Sequence, residues 1–125
     1  MTVDRASALS ALYAIQALLV VGWWLLLFQG DPVRPWFVAD DGWSRARAYA
    51  PIDLSVVAVP SAVSAYALAS NRSWARRAVL ATEIGVAVGF VVAVWWIAEP
   101  VDRWLGAATM VLMVVANDVM RRIVP

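Results

Sequence analysis

One carboxylate, Glu83, lies inside a long apolar stretch. It is the only charged residue among the 21 positions from 78 to 98, a length sufficient to cross a bilayer. A charge left alone in hydrocarbon costs about 2.5–3.5 kcal/mol on insertion scales, so a carboxylate retained there faces a partner, a cavity or another subunit. Because burial disfavours the charged form, we expect Glu83 to hold a proton and to be the main functional side chain.

Two further carboxylates are candidates for acid or base chemistry. Asp118 precedes Arg121 and Arg122 by three and four residues, a spacing typical of a local ion pair on a helix. Asp53 follows Pro51, and because proline is tolerated at the first helical position, we expect a helix to start there. In that first turn, free amides and the helix dipole stabilise a carboxylate. The predicted catalytic set, which applies only if the protein is an enzyme, is Glu83, Asp118 and Asp53.

Uncharged polar residues recur at a similar depth in the other apolar segments. At a rise of 1.5 Å per residue, Gln16, Ser64, Glu83 and Asn117 each lie roughly 5–15 Å from the cytoplasmic end of their helix. We therefore expect one polar cluster in which Glu83 is hydrogen-bonded to these residues. A tryptophan pair adds ring faces that attract positive charge. The predicted ligand-binding set is Glu83, Gln16, Tyr13, Ser61, Ser64, Asn117, Trp95 and Trp96.

The residues that are missing exclude several kinds of chemistry. The chain has no cysteine, histidine or lysine, which excludes thiol redox chemistry, Cys/His zinc sites, histidine-ligated haem and lysine Schiff bases within this chain. We therefore predict no metal and no cofactor. The net charge of +1 gives no indication of nucleic-acid binding. No motif in the sequence identifies a family.

The composition predicts that the elements holding these residues are membrane helices. Hydrophobic residues make up 63% of the 125 positions, and the mean hydropathy is +0.73, whereas soluble domains are roughly 45–50% apolar. We predict an all-α membrane protein, a single domain over 1–125 with four transmembrane helices in an antiparallel bundle. A long loop or surface segment joins helices 1 and 2. The approximate spans are 6–28, 52–70, 76–98 and 103–121.

The arginines predict the orientation of these spans. With four spans, both termini and the connection between spans two and three share one side of the membrane, which holds six arginines against four on the other side. By the positive-inside rule, we expect a multi-pass protein of the cell membrane with cytoplasmic N- and C-termini. The first apolar stretch lacks a small-x-small cleavage pattern, so we expect it to be a span rather than a signal peptide.

Small residues recur every four positions on the third predicted helix, at Ala81, Gly85, Gly89 and Ala93. This spacing lets another helix backbone approach closely. At 100° per residue, Gly85 and Gly89 lie on the side opposite Glu83, so both faces of the helix require protein contact. One face is expected to meet the bundle and the other a second copy, which predicts a homodimer.

Three functions remain open at this point. The leading hypothesis is a proton-linked carrier or hydrophobic-ligand binding protein that works as a homo-oligomer, in which a hydrophobic or cationic small molecule competes with a proton for Glu83. The first alternative is an intramembrane acid/base enzyme, of isomerase or cyclase type, acting on a lipid or isoprenoid. The second is a non-catalytic accessory subunit of a larger membrane complex.

Overall fold

Four helices make up most of the chain. The computed structural model describes residues 3–30, 34–38, 42–97 and 104–124, and within these ranges it contains no strand. The helices are α1 (Val3–Gln29), α2 (Trp43–Ala69), α3 (Ala75–Ile97) and α4 (Trp104–Ile123). The all-helical prediction is therefore confirmed for the described residues. The predicted end of the third span, at 98, and the predicted start of the fourth, at 103, lie outside the described residues.

Within the described residues, three helical stretches are long and apolar enough to cross a membrane: Arg5–Gln29, Trp43–Ala69 and Ala75–Val94. Their composition explains this, since each is dominated by Ala, Leu and Val, which suit a helix in hydrocarbon. The last two turns of α4 carry the charged residues Asp118, Arg121 and Arg122.

The second helix begins at Trp43, so the prediction that it starts near Pro51 is wrong. Pro51 lies inside α2, although proline cannot donate the backbone hydrogen bond of its turn. The helix continues past it as a π-helical segment, Leu54–Ala58, in which each bond spans one residue more than in an α-helix. Asp53 is consequently in the middle of α2 rather than in its first turn.

The connection between α1 and α2 is shorter than predicted, because residues from Trp43 onward are helical. Its described part contains a short 3₁₀ turn, Arg34–Trp36. The Phe37 ring packs edge-on against Trp23 of α1, with 4.2 Å between ring centroids. The Arg34 guanidinium lies 4.5 Å from the centre of the Trp43 ring, within the range of cation–π attraction. These contacts hold the connection against the ends of α1 and α2.

α2 and α3 approach each other most closely at Gly85. A Cβ atom added there would overlap the carbonyl oxygen of Val56, which belongs to the π-helical segment. One turn along α3, Gly89 is buried against Tyr49. At Gly85 and Gly89, the small-residue face of α3 therefore packs against α2 of the same chain. Ala81, on the same face, is exposed.

The buried apolar residues form two clusters with polar side chains between them. The large apolar cluster comprises Val20, Trp24, Leu27, Val38, Ala46, Tyr49, Ala50, Val57, Ala58, Val86 and Ala93. The small apolar cluster comprises Leu9, Tyr13, Ala65, Leu68, Val79, Met120 and Val124. Each helix contributes buried polar residues at positions between the two clusters. This polar layer consists of Gln16, Ser61, Ser64, Thr82 and Asn117.

The contact at Gly85 makes a prediction about stability. Gly85→Ala is expected to destabilise the fold by about 1–3 kcal/mol, because the new methyl group must displace backbone atoms rather than a flexible side chain. The matched control is Gly22→Ala, whose added Cβ meets no atom within 4 Å. Alanine is the better helix former, so the control is expected to stabilise by about 0.5–1 kcal/mol. Denaturation in mixed micelles, followed by circular dichroism, measures both, and equal stabilisation by the two variants would contradict the close contact.

Candidate functional site

A cavity of about 370 Å³ lies among the four helices, within the large apolar cluster. Nearly all of its lining is apolar, and every helix contributes to it. The lining includes Gly22 and Trp23 from α1, Tyr49 and Asp53 from α2, Gly89 and Phe90 from α3, and Met110 and Met113 from α4. An apolar enclosure with a few polar groups is the usual form of a small-molecule binding site.

Asp53 is the charged residue of the cavity wall. Its Oδ2 accepts a hydrogen bond of 2.7 Å from the indole Nε1 of Trp24, which is itself buried in the large apolar cluster. Within the described part of the chain, no arginine lies within 4 Å of this carboxylate. One oxygen of Asp53 is therefore held by Trp24, and the side chain has no positively charged partner among these residues.

Tyr49 precedes Asp53 by one helical turn and fixes this part of α2 to α3. Its hydroxyl donates a hydrogen bond of 2.6 Å to the carbonyl oxygen of Gly89. A Cβ atom at Gly89 would lie only 3.1 Å from that hydroxyl, so glycine gives the tyrosine room to reach the backbone. The Tyr49 ring also packs against Trp24, with 6.4 Å between centroids. Trp24 and Tyr49, the aromatic residues beside Asp53, are thus both held in place.

The polar layer lies one helical turn beyond the cavity. The Gln16 amide donates to Ser61 Oγ at 2.8 Å and accepts from Asn117 Nδ2, also at 2.8 Å. Asn117 Nδ2 donates to the Met113 carbonyl at 2.9 Å, and Ser61 donates to the Val57 carbonyl at 2.6 Å. Because Met113 and Val57 line the cavity, these hydrogen bonds tie the cavity floor to the polar layer.

Glu83 has a charged partner, which the sequence prediction did not include. It forms an ion pair with Arg121 of α4. The prediction that Glu83 is hydrogen-bonded to Gln16, Ser64 or Asn117 is therefore wrong, because its side chain contacts the Arg121 guanidinium instead. Ser64 instead pairs with Thr82 at 2.8 Å between hydroxyl oxygens. Glu83 does not line the cavity.

The local ion pair predicted for Asp118 is confirmed. Asp118 contacts Arg122 at 2.9 Å and Arg121 at 3.4 Å. Arg121 therefore bridges Asp118 and Glu83, and with Arg122 the two arginines balance the two carboxylates near the end of α4. The sequence spacing identified only the partner on the same helix, since the contact with Glu83 depends on how α3 and α4 pack.

The remaining predicted ligand-binding residues lie away from the cavity or outside the described side chains. Tyr13 is fully buried in the small apolar cluster, and its hydroxyl has no hydrogen-bond partner in the described ranges. The side chains of Trp95 and Trp96 are not among those described. Of the predicted acid/base residues, only Asp53 lines the cavity.

Sequence reasoning missed Trp24 and Tyr49 as parts of the site. The predicted spans place Tyr49 in the long connection before Pro51, and the predicted site does not include Trp24. A usable signal was present, because residues 46, 49, 50, 53 and 57 follow helical spacing through the proline. Treating Pro51 as a helix start concealed this pattern.

The polar layer yields a prediction that can be measured by a double-mutant cycle. Gln16→Leu and Asn117→Leu are each expected to destabilise by about 1–3 kcal/mol, because each leaves buried partners unsatisfied. The double variant should cost less than the sum by about 0.6–1.7 kcal/mol, the range typical of hydrogen bonds between membrane helices. Unfolding in mixed micelles gives all four free energies.

The control cycle pairs Gln16→Leu with Ser55→Ala. Ser55 is exposed and bonds only to Pro51 of its own helix, so these two changes should be additive within about 0.5 kcal/mol. Additivity in the Gln16 and Asn117 cycle as well would show that the two amides do not interact.

Comparison with known proteins does not add a family to this site. No protein-family model, curated protein or solved structure matches the chain significantly.

Proposed function

We propose that this protein is a small integral membrane protein that binds a hydrophobic ligand in the cavity among its helices. The observation that carries the proposal is the cavity itself, an apolar space of about 370 Å³ with the Asp53 carboxylate in its wall. Pockets that enclose small molecules have volumes of about 300–1,000 Å³, so the space suits a small amphiphile or the chain of a larger one.

The proposal includes a bundle of four antiparallel spans with both termini in the cytoplasm. The polar layer supports α4 as the fourth span, because its Asn117 is hydrogen-bonded to Gln16 near the middle of α1. Antiparallel neighbours are supported by the two apolar clusters. Along α1 the small cluster precedes the large one, whereas along α2 the large one comes first.

Asp53 lies inside the apolar part of α2, toward the end of the bundle where α1 finishes. It follows Arg47, an exposed charged residue, by six residues, which is about 9 Å along a helix. Its partner Trp24 lies five residues before the end of α1 at Gln29, about 7.5 Å by the same rise. An ionisable residue among apolar neighbours within a membrane helix is costly to keep, and such residues mark ligand and ion sites.

The cavity is accessible from the lipid side of α1. Three leucines on its edge have side chains that face outward from the bundle: Leu18, Leu19 and Leu26 are 72%, 64% and 49% exposed. On the other side, hydrogen bonds of the polar layer hold the floor. A ligand would therefore enter sideways from the bilayer, and this geometry favours binding over passage through one chain.

The other hypotheses have less support. Proton-linked transport by a homo-oligomer stays a prediction. A path through the bundle would require the hydrogen bonds of the polar layer to break. For the enzyme, Glu83 and Asp118 are both engaged by Arg121 and do not share the cavity with Asp53. No contact within the described residues specifically favours an accessory subunit.

Filling the cavity tests the proposal. Gly22→Leu adds a side chain where a Cβ meets no atom within 4 Å, so the variant should fold while its side chain occupies the cavity. The probe is decanol with a terminal diazirine, photolysed in phosphatidylcholine nanodiscs, with labelled residues mapped by mass spectrometry. We expect wild-type labelling at Met110 and Met113 that unlabelled decanol suppresses, and at least a roughly tenfold loss in Gly22→Leu, equivalent to about 1.4 kcal/mol.

The matched control is Ala11→Leu, which introduces the same leucine side chain at an exposed position of the same helix. It should label like the wild type. Labelling confined to lipid-facing positions, or labelling of Met110 and Met113 that Gly22→Leu leaves unchanged, would show that the cavity is not a ligand site.

A further inference from the structure

We infer that the cavity recognises amphiphiles with a cationic head, an alkylamine or quaternary ammonium, and binds that head at Asp53. This inference rests on the proposed function and specifies its ligand class. It starts from the composition of the cavity wall, where Asp53 is the only charged residue among the lining side chains that the structure describes. Tyr49 and Thr109 are the other polar residues of the lining, and neither carries a charge.

Among the carboxylates whose side chains the structure describes, Asp53 is the one without an ion pair. The other carboxylates of this part that form ion pairs, Glu83 and Asp118, are bound by Arg121 and Arg122. Asp53 receives only the neutral indole N–H of Trp24. Buried charges in proteins are paired or bound to ions. A ligand cation would supply this pairing.

The carboxylate is also held in a fixed orientation. Trp24 bonds to one of its oxygens, and Tyr49, one turn earlier, is anchored to the Gly89 carbonyl. The second oxygen, Oδ1, has no hydrogen bond from the described residues. A site with fixed groups loses less conformational entropy on binding than a mobile one. Asp53 is therefore suited to accept a ligand donor at Oδ1.

Aromatic residues make the same wall favourable for a cation. Trp23, Tyr49 and Phe90 line the cavity together with Asp53. The faces of aromatic rings attract ammonium groups, and aromatic residues are the common lining of sites for quaternary ammonium ligands. A neutral alcohol would gain only a hydrogen bond, whereas a cation would gain the attraction of the opposite charge, which is stronger near a protein wall than in water. An anion would be repelled by the carboxylate.

The apolar edge of the cavity accounts for the rest of the ligand. With its head at Asp53, the chain would pass along Leu18, Leu19 and Leu26, which are exposed to the lipid side. Asp53 lies about 9 Å along α2 beyond the exposed Arg47, inside the apolar wall of the cavity, whereas the head group of a resident phospholipid lies at the membrane surface. A single-chain amine is the better match.

A competition experiment tests the ligand class. The diazirine-bearing decanol labels the cavity in phosphatidylcholine nanodiscs, and unlabelled decylammonium or decanol displaces it. Partitioning of each competitor is measured in empty nanodiscs, so that concentrations in the membrane are compared. We expect the cation to displace the label from wild-type protein at a membrane concentration at least roughly tenfold lower than that of decanol.

Asp53→Asn removes the charge and keeps an oxygen that can accept from Trp24. The variant should retain labelling by the neutral probe, which shows that the cavity is intact, and should bring the two competitors to equal potency. The matched control Asp118→Asn removes a carboxylate that is paired with Arg122 outside the cavity, and should preserve the preference for the cation.

The outcomes separate this inference from the function on which it rests. Equal potency of the two competitors on wild-type protein would overturn the cationic ligand class, while labelling that Gly22→Leu abolishes would still support a hydrophobic-ligand site. A preference for the cation that persists in Asp53→Asn would place its recognition elsewhere. Absence of labelling in the cavity by the neutral probe, and by a diazirine-bearing decylammonium, would overturn both.

Discussion

The close approach of α2 and α3 at Gly85 is the constraint on which the site depends. Because Gly85 has no side chain, the backbone of Val56 lies against α3. This proximity brings the Tyr49 hydroxyl within 2.6 Å of the Gly89 carbonyl. Tyr49 and Asp53 are one helical turn apart, so anchoring the tyrosine also places the carboxylate at the cavity wall. A bulkier residue at Gly85 would separate the helices that carry both groups.

Glu83 and Asp53, two carboxylates within the apolar helices, are compensated differently for the loss of water. Glu83 is compensated by Arg121, which Asp118 also contacts, so its charge is already satisfied within the protein. Asp53 faces an apolar cavity and receives one neutral hydrogen bond. Since a group that is fully paired gains little from a ligand, the less satisfied carboxylate is the better candidate for recognition.

Much of the fold follows from composition, because a long run of Ala, Leu and Val has few alternatives to a membrane helix. The start of α2 does not follow, since proline suits both a first turn and an interior accommodated by a π-helical segment. The helical spacing of Tyr49 and Asp53 was available, but their link to Trp24 and Gly89 required the packing of three helices. For the same reason, sequence spacing identified Asp118 as a partner of Arg121 and missed Glu83.

The polar layer and the cavity behave as one structural unit. Ser61 and Asn117 donate to the carbonyl groups of Val57 and Met113, which are cavity-lining residues. Gln16 joins the two donors across three helices. Widening the cavity at Val57 or Met113 would therefore strain hydrogen bonds that have no water to replace them in hydrocarbon. This coupling favours a rigid floor, so that adaptation to a ligand falls to the lipid-facing edge formed by Leu18, Leu19 and Leu26.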